Sequence, residues 1–210
     1  LNPRTLERYT IPGPAGALEV ALNIPPGPLA GLALVLHPNP VEGGTLDNKV
    51  AHTLAKTFFA LGYAAVRCNF RGAGASEGAF DGGEGETADA LAALAHGRER
   101  AGDLPVALAG FSFGGFVAAR VAGRVAPERV VLVGPAVRRF PVAPVPEETI
   151  VVHGEDDDVV PLADVLAWAR PQSLPVTVFP GCGHFFHGRL PQLARVITGM
   201  WRRHPVTPGA

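Results

Sequence analysis

Short β-type apolar runs alternate with segments of helical period along nearly the whole of this 210-residue chain. That alternation predicts an α/β architecture, a mostly parallel sheet with helices on both faces. Residues 5–11 and 17–24 flank Pro12-Gly13-Pro14-Ala15-Gly16 and read as an opening hairpin. Residues 32–36 (LALVL) are apolar without interruption, as befits a strand covered on both faces. Further strands are expected at 63–69, 105–109, 129–133, 149–152 and 176–179, about eight in all.

Between them the spacing predicts helices. One carries Val50, Leu54, Phe58 and Leu61 on a stripe, and a second, over 87–99, groups Ala88, Leu91, Ala92 and Ala95. A third covers 113–124. The fourth, over 161–169, aligns Leu162, Val165, Leu166 and Ala169, and the last carries Leu190, Leu193, Ala194, Ile197 and Trp201. Residues 134–148 are Pro-rich and read as loop. No repeat breaks the pattern, so residues 1–210 are expected to form a single domain. In open parallel sheets ligands bind beyond the carboxyl ends of the strands, and the site is sought there.

Composition removes several function classes. A formal net charge of −1 gives no broad field for nucleic acid or an anionic membrane. The longest apolar run, 29–36, has about half the length of a spanning helix. The Leu1-Asn2-Pro3 start lacks a signal peptide's basic and apolar regions, and Cys68 and Cys182 make no disulfide framework. A cytoplasmic domain acting on a small molecule is expected, with oligomeric state open.

Two stretches share the G-x-S-x-G spacing, around Ser112 and around Ser76. A nucleophile elbow needs a strand ending in a sharp turn that passes straight into a helix, with small residues beside the serine. Ser112 has all of this: Val106-Ala107-Leu108-Ala109 before it, Gly110 and Gly114 as flanks, a helix after it. Ser76 sits in "RGAGASEGAFDGG", glycine-rich and followed by more loop. Context selects Ser112. A serine is a weak nucleophile at neutral pH and needs a base oriented by a third group. The strand at 149–152 exits into "HGEDDDVVP", and the last strand exits into "PGCGHFFH". The order Ser, Asp, His is that of the elbow fold.

Taken together, the H-P-N-P turn at 37–40, R-G-x-G-x-S at 71–76, G-F-S-F-G at 110–114, H-G-x-x-D-x-x-V-P at 153–161 and G-x-G-H at 181–184 resemble the α/β-hydrolase superfamily. The likeness is to its small lidless branch of dienelactone-hydrolase-like and bacterial serine esterases. It implies the α/β-hydrolase fold, no metal or organic cofactor, and a triad of Ser112, Asp157 and His184. By residue type alone Asp156 and Asp158 compete with Asp157, Asp158 as a cap for the next helix. His187 competes with His184 as a helix-start residue at the rim. His153 reads as structural, and His37 as a positioner of the oxyanion turn.

Acyl transfer also needs two N–H donors for the oxyanion. One is expected at Phe113, after the nucleophile. The other comes from the loop after the 32–36 strand. Prolines have no N–H, so between His37 and Val41 only Asn39 has one to give. With 134–148 too short for a helical cap, an open site bordered by Val41, Phe111, Val159, Val160 and Phe185 is expected. The leading function is cleavage of short-chain or soluble carboxylic esters through an acyl-enzyme. A thioesterase, peptidase or cofactor-free perhydrolase, or a non-catalytic ligand-binding relative, are the alternatives.

Overall fold

The computed structural model describes residues 6–202. Thr5 and the Leu1-Asn2-Pro3 start lie outside the described residues. Eight strands form one sheet: β1 (Leu6–Gly13), β2 (Gly16–Asn23), β3 (Gly31–Leu36), β4 (Tyr63–Cys68), β5 (Val106–Phe111), β6 (Arg129–Val133), β7 (Ile150–Gly154) and β8 (Val176–Phe179). Their spatial order is β1-β2-β4-β3-β5-β6-β7-β8. The β1–β2 hairpin is antiparallel and β2 meets β4 antiparallel, whereas every pairing from β4 to β8 is parallel.

Every residue of β3, β4 and β5 is buried, because alternate side chains enter two cores. Leu32, Leu34 and Leu36 pack against α2 (Glu84–Ala101) and α3 (Phe113–Ala122) on one face. Ala33 and Val35 pack on the other face against α1 (Lys49–Ala60) and α5 (Leu190–Arg202). α4 (Leu162–Ala169) covers β7. Residues 134–148 contain no helix or strand, so nothing of lid size stands between β6 and β7. No helix among the described residues is long and apolar enough to cross a membrane.

One helix turns a different face inward from the one its spacing predicts. In α2 the buried set includes Glu86, Asp89, Ala90, Ala93, Leu94 and Gly97, whereas Ala88, Leu91, Ala92 and Ala95 are not buried. An alanine-rich helix offers little hydrophobic contrast, so close approach and ion pairing decide its rotation. Gly97 lies against Leu32 and Val66, and buried Asp89 holds Arg71 at 2.9 Å. In α4 the expected stripe faces inward at Val165 and Ala169, which are buried, whereas Leu162 is half-buried and Leu166 exposed.

Candidate active site

The exits of β3, β5, β7 and β8 meet at one end of the sheet. β5 runs directly into Ser112, whose backbone takes φ 55° and ψ −118°, and α3 starts at the next residue. A non-glycine residue held at positive φ costs about 1–3 kcal/mol and persists only where its surroundings over-determine it. They do so here. An added Cβ at Gly110 would collide with the Gly114 carbonyl, and one at Gly114 with the carbonyls of Leu36 and His37. The Ser112 N–H is tied to Val133 O at 2.9 Å.

Ser76 is used up structurally. Its hydroxyl donates to Asn69 O (2.7 Å) and accepts from the Glu19 N–H (2.9 Å), pinning the glycine-rich loop to β2.

Of the three aspartates after β7, only Asp157 is buried. Its Oδ1 accepts from the N–H groups of Val159 (3.0 Å) and Val160 (2.7 Å), and its Oδ2 stands 2.7 Å from His184 Nδ1. Burial by itself raises a carboxyl's pKa. The His184 contact, the Val160 N–H and the two nearby imidazoles outweigh it and hold Asp157 below its ordinary value. Asp158 is exposed and does not cap α4, which begins after Pro161 without a side-chain cap.

The His184 ring is walled by Phe111, 4.8 Å between centroids, and by Phe185 at 5.1 Å. Gly134, at φ 51°, leaves room for it, since a Cβ there would come within 3.3 Å of Cε1. His184 and Ser112 line the same cavity of ≈ 170 Å³, with Pro38, Asn39, Gly44 and Val159 among the other walls. Among the described residues no hydrogen bond joins Ser112 Oγ to the His184 ring. The structure thus makes the Asp157–His184 contact and places Ser112 in the shared cavity without closing the second contact. Such bonds are commonly long in unliganded sites and tighten around substrate.

The other histidines fall into distinct places. His187 is exposed in the turn before α5 rather than on the helix, its ring tilted against Phe185. His153 is buried at the end of β7, with Nε2 2.8 Å from Val160 O and 3.4 Å from Asp157 Oδ2. His37 is buried with Nδ1 2.6 Å from Pro38 O and Nε2 accepting from the Phe70 N–H at 3.0 Å. Both ring nitrogens are therefore engaged in holding the Pro38–Pro40 turn.

Burial pushes the His37 imidazole down to about 4, against a smaller opposing effect of its bond to Pro38. The unfolded chain takes up this proton near 6.5, so below that value the unfolded state binds more protons than the native state. Stability is expected to fall as pH drops from about 6.5 to about 4, by about 3 kcal/mol from this side chain. Urea midpoints at pH 7 and pH 4.5 check this. The midpoint of His37→Asn should fall less between them than that of the parent, and an equal fall would exclude His37 as the source.

In the turn itself, Pro40–Glu42 forms one 3₁₀ turn whose Val41 N–H is taken by Asn39 Oδ1 at 3.1 Å. The Asn39 N–H, by contrast, has no acceptor among the described residues, and the same holds for Phe113, the first amide of α3.

The five expected border residues divide. Val159 and Phe185 line the cavity. Phe111 and Val160 are fully buried: Phe111 supports the His184 ring from below, and Val160 holds Asp157 through its N–H. Val41, 68% exposed, points outward from the turn rather than into the cavity wall. Unforeseen in the sequence are Glu42, Gly43, Gly44 and Asn48, which wall the far side. Their signal was the Gly43-Gly44 doublet. An added Cβ at Gly44 would strike the Pro38 carbonyl, so only glycine lets the chain fold back under the turn. Cys182 is buried with its thiol pushed up by burial, which disfavours reaction with thiol reagents.

Comparison with known proteins bears on this geometry. The family model described as serine aminopeptidase, S33, matches residues 42–148. An α/β serine hydrolase without lid from Xanthomonas campestris is 34% identical over 99% of both chains, with a TM-score of 0.88. This chain belongs to the lidless α/β serine hydrolases. A serine hydrolase homologue from Coxiella burnetii is 39% identical over 92% of this chain and 96% of its own, at a TM-score of 0.85. An uncharacterised protein of Rickettsia prowazekii is 32% identical over 88% of this chain and 84% of its own length. The first of these relatives is without a lid, and in this lidless hydrolase nothing of lid size covers the strand exits among the described residues.

Proposed function

We propose that this protein hydrolyses carboxylic esters of short-chain or soluble acyl groups through an acyl-enzyme on Ser112. The observation that carries the reading is the buried Asp157–His184 pair, which shares a cavity with a serine on a strained strand–helix turn. With Nδ1–H directed to Asp157, the lone pair of His184 Nε2 is free to act as base.

Ser112 Oγ attacks the ester carbonyl carbon as its proton passes to His184 Nε2. The N–H groups of Phe113 and Asn39 donate to the oxyanion as it forms. Collapse breaks the bond to the alcohol, which leaves with the proton from His184. Water then attacks the acyl-enzyme with His184 again as base, releasing the acid and restoring Ser112. The reading takes the cytoplasm as the compartment, in keeping with two free cysteines, and a small-molecule ester as partner.

A cavity of ≈ 170 Å³ has room for a few carbons beside the nucleophile. Turnover of p-nitrophenyl acetate or butyrate is therefore expected to exceed that of the octanoate by about tenfold or more in kcat/KM. The aminopeptidase description of the matching family favours a second reading, cleavage of N-terminal aminoacyl amides. A set of aminoacyl p-nitroanilides separates the two. Faster turnover of the anilides than of the esters would replace the esterase reading with the peptidase one.

A further inference from the structure

Beside the cavity that holds Ser112 lies a second hollow of ≈ 290 Å³. Gly43, Asn48 and Phe185 wall both, so the two are compartments of one cleft. The loop carrying His184 continues into Phe185 and His187, which wall the second compartment. A leaving group protonated by His184 departs on that imidazole's side. The second compartment is thus placed to receive the leaving group, and the smaller one, beneath the Asn39 turn, the acyl group.

The charges around the second compartment are unbalanced. Lys49 lines it, and among the described residues its ammonium has no ion-pair partner. The carboxylate of Asp47, also in the wall, is taken by Arg8 at 2.7 Å, and Arg8 in turn reaches Glu19 at 2.6 Å. Directly behind the wall, buried Arg67 donates to Leu46 O at 2.6 Å, between Thr45 and Asp47 of the lining. Its other contact is His52 Nδ1 at 3.2 Å, its Nε has no partner, and no carboxylate lies within ion-pair distance among the described residues.

An arginine remains protonated even where burial lowers its pKa, as it does here. Three cations, Arg8, Arg67 and Lys49, therefore face two carboxylates, Asp47 and Glu19. The field of a buried cation is weakly screened. Glu42, across the shared wall, is paired with Arg139 and does not offset it.

We propose that the cleft selects esters whose leaving group carries a negative charge, as a carboxylate-bearing alcohol does. Lys49 is its specificity determinant, with the field of Arg67 behind it. The inference rests on the serine-hydrolase reading above.

Its test compares 4-carboxyphenyl acetate with 4-carbamoylphenyl acetate, each kcat/KM divided by that ester's own hydroxide-catalysed rate. The carboxylate is expected to be preferred about fivefold or more at low ionic strength, with the preference shrinking toward one near 1 M salt. Lys49→Gln should cut the preference by about threefold, whereas Lys56→Gln, the same change further along α1, should leave it unaltered. Turnover of both esters with a ratio at or below one, or equal effects of the two lysine changes, would overturn this inference alone. If neither ester is turned over and a fluorophosphonate leaves Ser112 unmodified, the serine-hydrolase reading falls and the inference with it.

Discussion

Replacing Ser112 with alanine is expected to lower kcat for p-nitrophenyl acetate by about 10⁴–10⁶-fold while the protein stays folded. The change removes the attacking oxygen and leaves the cavity, the Phe113 and Asn39 amides and the Asp157–His184 pair in place. A residual rate above that of free solution is therefore expected, from oxyanion stabilisation and binding alone. Alanine also accepts the N-cap position without a lost bond, since Ser112 makes no side-chain cap to α3. The circular dichroism spectrum and melting temperature should match those of the parent. Ser76→Ala makes the opposite pattern: its hydroxyl holds two backbone groups, so its cost should fall on stability rather than on kcat. Comparable activity in Ser112→Ala and the parent would end the assignment of the nucleophile.

The second large effect belongs to the carboxylate. Asp157→Asn keeps the shape and can still accept from the Val159 and Val160 N–H groups. An amide NH₂ facing His184, however, favours the tautomer with the proton on Nε2, where the base must be vacant. The expected loss is about 10⁴-fold in kcat. Asp156→Asn and Asp158→Asn alter exposed side chains that make no contact with His184, and each should stay within about threefold of the parent, in line with ordinary surface changes. Measured together, the three substitutions resolve which of the consecutive aspartates orients the imidazole. A large loss confined to Asp156 or Asp158 would contradict the geometry around Oδ2.

What could be read from the sequence followed from signals that are local in the chain. The elbow at Ser112 was legible because strand, glycine flanks and helix are contiguous, and the same contiguity disqualified Ser76. The Asn39 turn was legible from its prolines, because a missing N–H is a property of the residue type. The inward face of α2 was not. Alanine at Ala88, Ala92 and Ala95 differs little from Ala90 and Ala93 in hydrophobicity, and the rotation follows from Gly97 against Leu32 and from Arg71 reaching Asp89. These are contacts between segments far apart in sequence.

The cavity wall divided in the same way. Val159 and Phe185 lie near the proposed triad positions and do face the cavity, but Phe111 and Val160 lie near them too and are buried beneath. Along a strand or turn, neighbours alternate between facing a site and supporting it, and the motif string carries no marker of which. Glu42 to Asn48 escaped notice because the chain's return under Pro38 depends on Gly44, whose meaning appears only once the turn is folded. The contact between Ser112 and His184 is of another kind, a side-chain geometry that bound substrate is expected to complete.

The most direct test of the account is covalent. The protein is treated with a fluorophosphonate at neutral pH, digested, and the modified residue located by mass spectrometry. The parent should carry one adduct, on Ser112, and Ser112→Ala none, with labelling slowed by at least about a hundredfold in His184→Ala because the alcohol has lost its base. An adduct on another residue, or labelling of His184→Ala as fast as the parent, would show that this serine is not activated by that imidazole.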